Sequence, residues 1–169
     1  MSQQRICIGV IGGNEADKSN YDLAHELGTH IAGRGAVLVC GGLGGIMEAV
    51  SKGVCESGGT VIGILPGTEK ASANPYVTIA LPTGMGMARN TLVVQAADVL
   101  IAFPGSYGTL SEIAFALAAG KTVVYLPGSW DLKKIAPVDA ARFKEAFDAR
   151  HAIGVALGAV GERRDVAPV

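Results

Sequence analysis

Residues 99–112 read VLIAFPGSYGTLSE: an apolar run, then a proline, two glycines and small polar residues, then a carboxylate as the chain enters IAFALAAG. A run with no polar alternation reads as a strand buried on both faces, which belongs inside a parallel sheet covered by helices. Gly105 and Gly108 leave the start of the next helix bare of Cβ atoms, so its free N–H groups and positive dipole end can meet an anion. Thr109 and Ser111 can cap that helix or bond phosphate oxygens. Glu112 reads either as first-turn punctuation against the dipole or as a group serving a ligand.

The same strand–glycine–helix unit recurs outward from this stretch. RICIGVI (5–11) ends in Gly12-Gly13, and YDLAHELGTHIAGRG (21–35) follows with Leu23, Leu27 and Ile31 at helical spacing. AVLVC (36–40) runs into GGLGG, IMEAVSKGVCESGG (46–59) reads as a helix, and TVIGIL (60–65) as a third strand. A polar loop, PGTEKASANP, leads to a short strand in YVTIAL (76–81), and a helix is expected from about Met87 to Ala97. DVLIAF is the fifth strand, GTLSEIAFALAAG the next helix and KTVVYL (121–126) the sixth strand. Alternation of this kind predicts an α/β, doubly wound, mainly parallel sheet with helices on both faces, Rossmann-like, with strand order 3-2-1-4-5-6. Beyond Leu126, residues 127–139 read as a surface loop, 140–160 as one helix or a helix followed by a strand, and 161–169 as a loose tail. With no linker or repeat, residues 1–169 are one domain.

Composition narrows the function. Of 169 residues, 49% are hydrophobic and 17% charged, which excludes a disordered chain. A net charge of -1 offers no basic footprint for nucleic acid or an anionic membrane, so an anionic partner is expected to be small. Cys7, Cys40 and Cys55 form no CxxC, fall in apolar stretches and read as buried reduced thiols. The N-terminus lacks a signal-peptide pattern and no apolar run is long enough to span a bilayer, so a cytoplasmic protein is expected.

In an open parallel sheet, ligands bind along the edge where the strand C-termini meet the loops. Three such loops are glycine-rich: Gly12 and Gly13; Gly41, Gly42, Gly44 and Gly45; Gly105 and Gly108. None is a GxGxxG fingerprint, and Cys40 stands where a ribose-binding carboxylate would end the second strand, which argues against a dinucleotide. Arg89 sits near the start of a helix, where a cation opposes the dipole, and Glu112 holds the corresponding place on the next helix. Side by side they would make an ion pair, either structural or bordering a phosphate loop. Asn90 is a weaker candidate, and Asp98 most simply ends a helix. His25 and His30 fall on different helix faces, and no HExxH, GxSxG or GxxxxGK[ST] pattern occurs, so no metal site is expected.

GGLGGIMEAVSKG, ILPG, NPYV, PTGMGMARN and PGSYGTLSEIAFAL, in that order, resemble the Lonely Guy superfamily of Rossmann-like proteins, formerly labelled lysine decarboxylase-like, whose signature is PGGxGTxxE. The resemblance covers residues 5–126 and implies a nucleoside 5'-monophosphate phosphoribohydrolase needing no cofactor for hydrolysis. It implies Arg89 and Glu112 as the catalytic pair. It also implies a phosphate loop through Gly105, Ser106, Tyr107, Gly108 and Thr109, with Thr83, Gly84, Arg89 and Asn90 on the ligand side. Here Ser106 replaces the signature's second glycine, and MARN replaces MHxRK, with Ala88 and Asn90 in place of the His and Lys. The overall pattern is similar to the short single-domain branch that includes molybdenum-cofactor carrier proteins, which implies the alternative of a phosphorylated pterin as cargo without bond cleavage. Members are commonly dimers or larger, so a homo-oligomer is expected.

Overall fold

The computed structural model describes residues 4–128 and 140–166, with no side chain described from residue 163 onward. Seven strands form one sheet in the order β4-β3-β2-β1-β5-β6-β7, and all six pairings are parallel. The strands are β1 (Cys7–Ile11), β2 (Val37–Cys40), β3 (Thr60–Leu65), β4 (Ile79–Pro82), β5 (Val99–Ala102), β6 (Val123–Tyr125) and β7 (Phe143–Glu145). The helices are α1 (Lys18–Gly33), α2 (Ile46–Glu56), α3 (Asn90–Ala96), α4 (Tyr107–Ala118) and α5 (Ala149–Val166). The expected α/β Rossmann-like class is the observed one.

The strand order differs from 3-2-1-4-5-6. β4 lies outside β3, with Ile62 opposite Ile79 and Leu65 opposite Pro82, and β5 takes the place beside β1, with Ile8 opposite Val99 and Ile11 opposite Ala102. Burial accounts for the exchange. β5 is buried at every residue, as a strand at the centre must be, whereas β4 alternates and leaves Ile79 and Leu81 exposed. The order therefore reverses between β1 and β5.

Alternate residues of each strand feed two cores. Ile8, Val10, Leu38 and Ile101 pack with Leu27 and Ile31 of α1 and with α2 and α5; Ile11, Val39, Leu100 and Val123 pack with Val93 of α3 and Ile113 of α4. α1 and α2 approach closely at Gly28 and Gly53, where an added Cβ would run into the backbone oxygens of Val50 and His25 respectively. After β6 the expectation reverses: a strand, β7, precedes the helix, and Phe143 stacks on Tyr125 with ring centroids 4.3 Å apart. α5 runs to Val166, so most of the expected loose tail is helical. The expected loop at 127–139 lies almost wholly outside the described residues. Of the cysteines only Cys40 is buried; Cys7 is half-buried and Cys55 exposed. Asp98 does more than end a helix, because its Oδ2 accepts the Cys7 N–H at 2.8 Å and so pins β1 beside β5. No helix among the described residues is long and apolar enough to cross a membrane.

Candidate functional site

The switch between β1 and β5 brings the loops after β1, β2 and β5 to one edge. Gly13 donates its N–H to Pro104 O at 2.9 Å, and Ile46 donates to Gly13 O at 3.1 Å, so the β1 loop is bonded to both neighbours. Asn14 completes the link by accepting the Gly44 N–H on Oδ1 at 3.0 Å. Gly45 has φ +60° and lies against the backbone of Gly13 and Asn14, where a side chain would have neither the dihedral nor the space.

The second element is the N-terminus of α4. Ser106 is its N-cap residue in extended conformation and makes no side-chain capping bond, which leaves the Gly108 and Thr109 N–H groups at the cavity for an external acceptor. Gly105 is obligatory there, because a Cβ would collide with the Thr109 hydroxyl, and Thr109 is buried. Ser111 turns back into the helix: its Oγ donates to Gly108 O at 2.7 Å and accepts from Asn90 Nδ2 at 3.3 Å. Since α4 begins at Tyr107, Glu112 lies in the second turn, and the first-turn punctuation reading falls away.

Arg89 ends a 3-10 turn, Gly86–Arg89, directly before α3. Its Nη1 donates to Asn90 Oδ1 at 2.7 Å and its Nη2 to Gly41 O at 3.3 Å. Gly41 is bare for this reason, since a Cβ would stand 2.6 Å from Nη2. Nη1 also lies 3.9 Å from Glu112 Oε1, with both side chains 8% exposed. The expected pair therefore exists, but it is long, and burial wins over it. Burial drives the Glu112 carboxyl from 4.5 up to about 7, with Arg89 pulling only partly the other way. Near neutrality the carboxyl is shared between its acid and its anion.

A cavity of about 150 Å³ is lined by Gly12, Gly41, Arg89, Asn90, Ser106, Gly108, Thr109 and Glu112. A larger one of about 460 Å³ adjoins it and takes in Gly13, Gly105 and Ser106, and Gly44 lines a third of about 320 Å³. Gly42 and Gly45 shape the β2 loop without lining any of the three. Thr83 and Gly84 lie apart, on the strap after β4. There Thr83 Oγ1 donates to Leu65 O at 2.8 Å and the Gly84 N–H to Gly67 O at 2.9 Å. Tyr107 is 81% exposed and lines none of the three cavities. Asn14, not singled out from sequence, lines all three cavities. Its signal was present as the polar residue directly after Gly12-Gly13, but a lone Asn in a turn reads first as turn chemistry. Met47 and Met87 also line the smaller cavity unforeseen. Among the described residues no group of three His, Cys, Asp or Glu side chains is placed to hold a metal ion.

The family profile described as the SLOG cluster4 family matches residues 5–155. An Archaeoglobus fulgidus protein is 49% identical over 119 residues, 70% of this chain and 78% of the relative. The cytokinin riboside 5'-monophosphate phosphoribohydrolase LOG of Oryza sativa is 36% identical over 115 residues, 65% of this chain and 47% of the enzyme. The chain thus spans about half the length of the rice enzyme it matches. Among solved structures, the molybdenum cofactor binding protein of Rippkaea orientalis superposes with TM-score 0.86 at 36% identity, covering 93% of this chain and 98% of that one. The molybdenum cofactor carrier protein of Chlamydomonas reinhardtii gives 0.85 at 34%, covering 94% and 99%.

Proposed function

Because the chain belongs to the SLOG cluster4 family within the Lonely Guy superfamily, we propose that it binds a nucleoside 5'-monophosphate at this sheet edge and hydrolyses its N-glycosidic bond. One observation carries the reading: a buried carboxyl, Glu112, raised to about 7, shares a cavity with Arg89 and with Gly108 and Thr109 of the first turn of α4. The phosphate sits against the N–H groups of that helix end and the Thr109 hydroxyl. Cleavage develops positive charge on the ribose C1' as the base departs with the bonding electrons. The ionised Glu112 stabilises that charge and orients the water whose oxygen then bonds C1'. Water gives up one proton, the departing base gains one, and the products are the free base and ribose 5-phosphate. Arg89 holds Glu112 and Gly41 in register and keeps the carboxyl from rising further.

Incubation of the purified protein with the common nucleoside monophosphates tests this, with base and ribose 5-phosphate expected in equal amounts. Glu112→Gln is expected to lower kcat by about 10²–10³-fold while nucleotide still binds. Release of no base from any of them overturns hydrolysis.

A second reading, a carrier of molybdenum cofactor as cargo, is favoured by the near-complete mutual coverage with the Rippkaea and Chlamydomonas proteins. It calls for a fluorescent pterin that co-purifies and is protected from oxidation; no affinity for such a pterin removes it. Under either reading we place the protein in the cytoplasm as a homo-oligomer, its exposed Leu92 and Phe115 on α3 and α4 supplying apolar surface for self-packing. Light scattering that returns a monomer mass would count against that assembly.

A further inference from the structure

Arg89 and Glu112 are both buried, yet Nη1 and Oε1 stand 3.9 Å apart, beyond hydrogen-bond reach. A guanidinium free to turn closes on a buried carboxyl as a fork, with paired N–H groups on the two oxygens. This one is turned aside. Its Nη1 donates to Asn90 Oδ1 at 2.7 Å and its Nη2 to Gly41 O at 3.3 Å, while its Nε is buried with no hydrogen-bond partner. Leaving a buried donor unpaired is unfavourable, so the two neutral acceptors impose the orientation against the preference of the ion pair.

Of those acceptors, Asn90 is the side chain, and its amide is fixed from the far end. Nδ2 donates to Ser111 Oγ at 3.3 Å, and Ser111 Oγ spends its own proton on Gly108 O at 2.7 Å. The serine can therefore only accept from Asn90, which leaves Oδ1 toward Arg89. Asn90 is buried where α3 packs on α4, so the bridge runs from the arginine to the residue next to Glu112 in the chain. Both ends of the amide are engaged by the protein, a duty separate from the ligand contact that the family resemblance implies.

We propose that Asn90 is a positioning residue: by accepting from Nη1 it holds the Arg89 guanidinium off Glu112 and leaves that carboxyl without a hydrogen bond from the arginine. Charge coupling then acts only across 3.9 Å, in keeping with a carboxyl that burial raises to about 7 and Arg89 lowers only in part. Cys40 of β2 is also coupled to the pair, but burial pushes its thiol up, so it stays neutral. Arg89 is the cation that acts on Glu112. The bearing of Asn90 on turnover rests on the hydrolytic reading above, whereas its effect on the Glu112 carboxyl does not.

Carboxyl carbon NMR of the full chain, titrated without ligand, tests it by reading Glu112 directly. Asn90→Leu is close to isosteric and removes the acceptor, and it is expected to lower the Glu112 midpoint by at least about one pH unit as Nη1 closes on Oε1. Ser111→Ala, which releases the far end of the amide without touching Arg89, is expected to move the midpoint the same way by less, and it decides the matter where Asn90→Leu does not fold. In an Arg89→Met background, Asn90→Leu is expected to add no shift, because Asn90 acts through the guanidinium. A midpoint that stays or rises in the single variants, or a fall that survives without Arg89, overturns the inference. Where the wild-type protein releases base from nucleoside monophosphates, the rising limb of kcat/KM is expected to fall with the midpoint. Absence of base release overturns hydrolysis, while the assignment of Asn90 stands on the titration.

Discussion

Glu112 links stability and activity to pH through one buried carboxyl. Its folded value, about 7, lies above the ordinary 4.5, so between those limits the native chain keeps a proton that the unfolded chain has released. Stability conferred by that proton is full below pH 4.5 and is lost as pH rises through 7, about 3 kcal/mol in all. Urea unfolding at pH 5 and pH 8 is expected to show the fall, and Glu112→Gln to flatten it. Catalysis runs the opposite way, because the anion is the working form: kcat/KM is expected to rise with pH through about 7. Arg89 lowers the Glu112 value, so Arg89→Ala is expected to displace that rising limb to higher pH. A limb that stays in place would show that the 3.9 Å pair carries no charge coupling. Gly41→Ala tests the same geometry from the other side, since its Cβ would stand 2.6 Å from Nη2 and 2.7 Å from Met47 Sδ. It is expected to cost about 1–3 kcal/mol of stability and to lower kcat.

At the scale of elements, α3 is the one to watch. It has seven residues and no side-chain N-cap, and its C-terminal end is held from outside. Lys121 Nζ donates to the carbonyls of Val94 at 2.7 Å, Gln95 at 2.9 Å and Ala97 at 2.6 Å. An ammonium on orphan carbonyls at the negative end of a helix is a favourable arrangement. Lys121→Met is expected to cost about 1.5–3 kcal/mol and to speed amide exchange in α3 before the strands. Exchange that accelerates uniformly would count against a local role. Lys121 read from sequence only as the opening of a strand, because the partners of an ammonium 24 to 27 residues away are set by packing. The α4 start was legible, since proline and glycine mark it locally, yet the helix began early enough to carry Glu112 into its second turn.

Across the whole molecule, β7 and α5 finish the sheet and one of its layers without entering the three cavities of the site edge. Phe143, 2% exposed and stacked on Tyr125, is expected to cost about 3–5 kcal/mol when changed to Ala, with the pH limb of activity unmoved. A shifted limb would mean that the far edge of the sheet reaches the site. The C-terminal third was the least legible part, and the reason is physical. β7 has three residues and only Phe143 fully buried, which is too short for any periodicity to declare itself.

What the chain determined by itself were the local patterns: apolar runs without alternation, glycines at their C-terminal ends and helical spacing between them. Those suffice for a parallel α/β sheet with its binding edge, because backbone preference and burial period act over a few residues. The tertiary structure alone decided that β5 rather than β4 lies beside β1, that Asn14 joins three cavities, and that burial outweighs Arg89 at Glu112. Each of these depends on what surrounds a group in space, and solvent exclusion and charge separation are not properties of neighbouring residues in sequence.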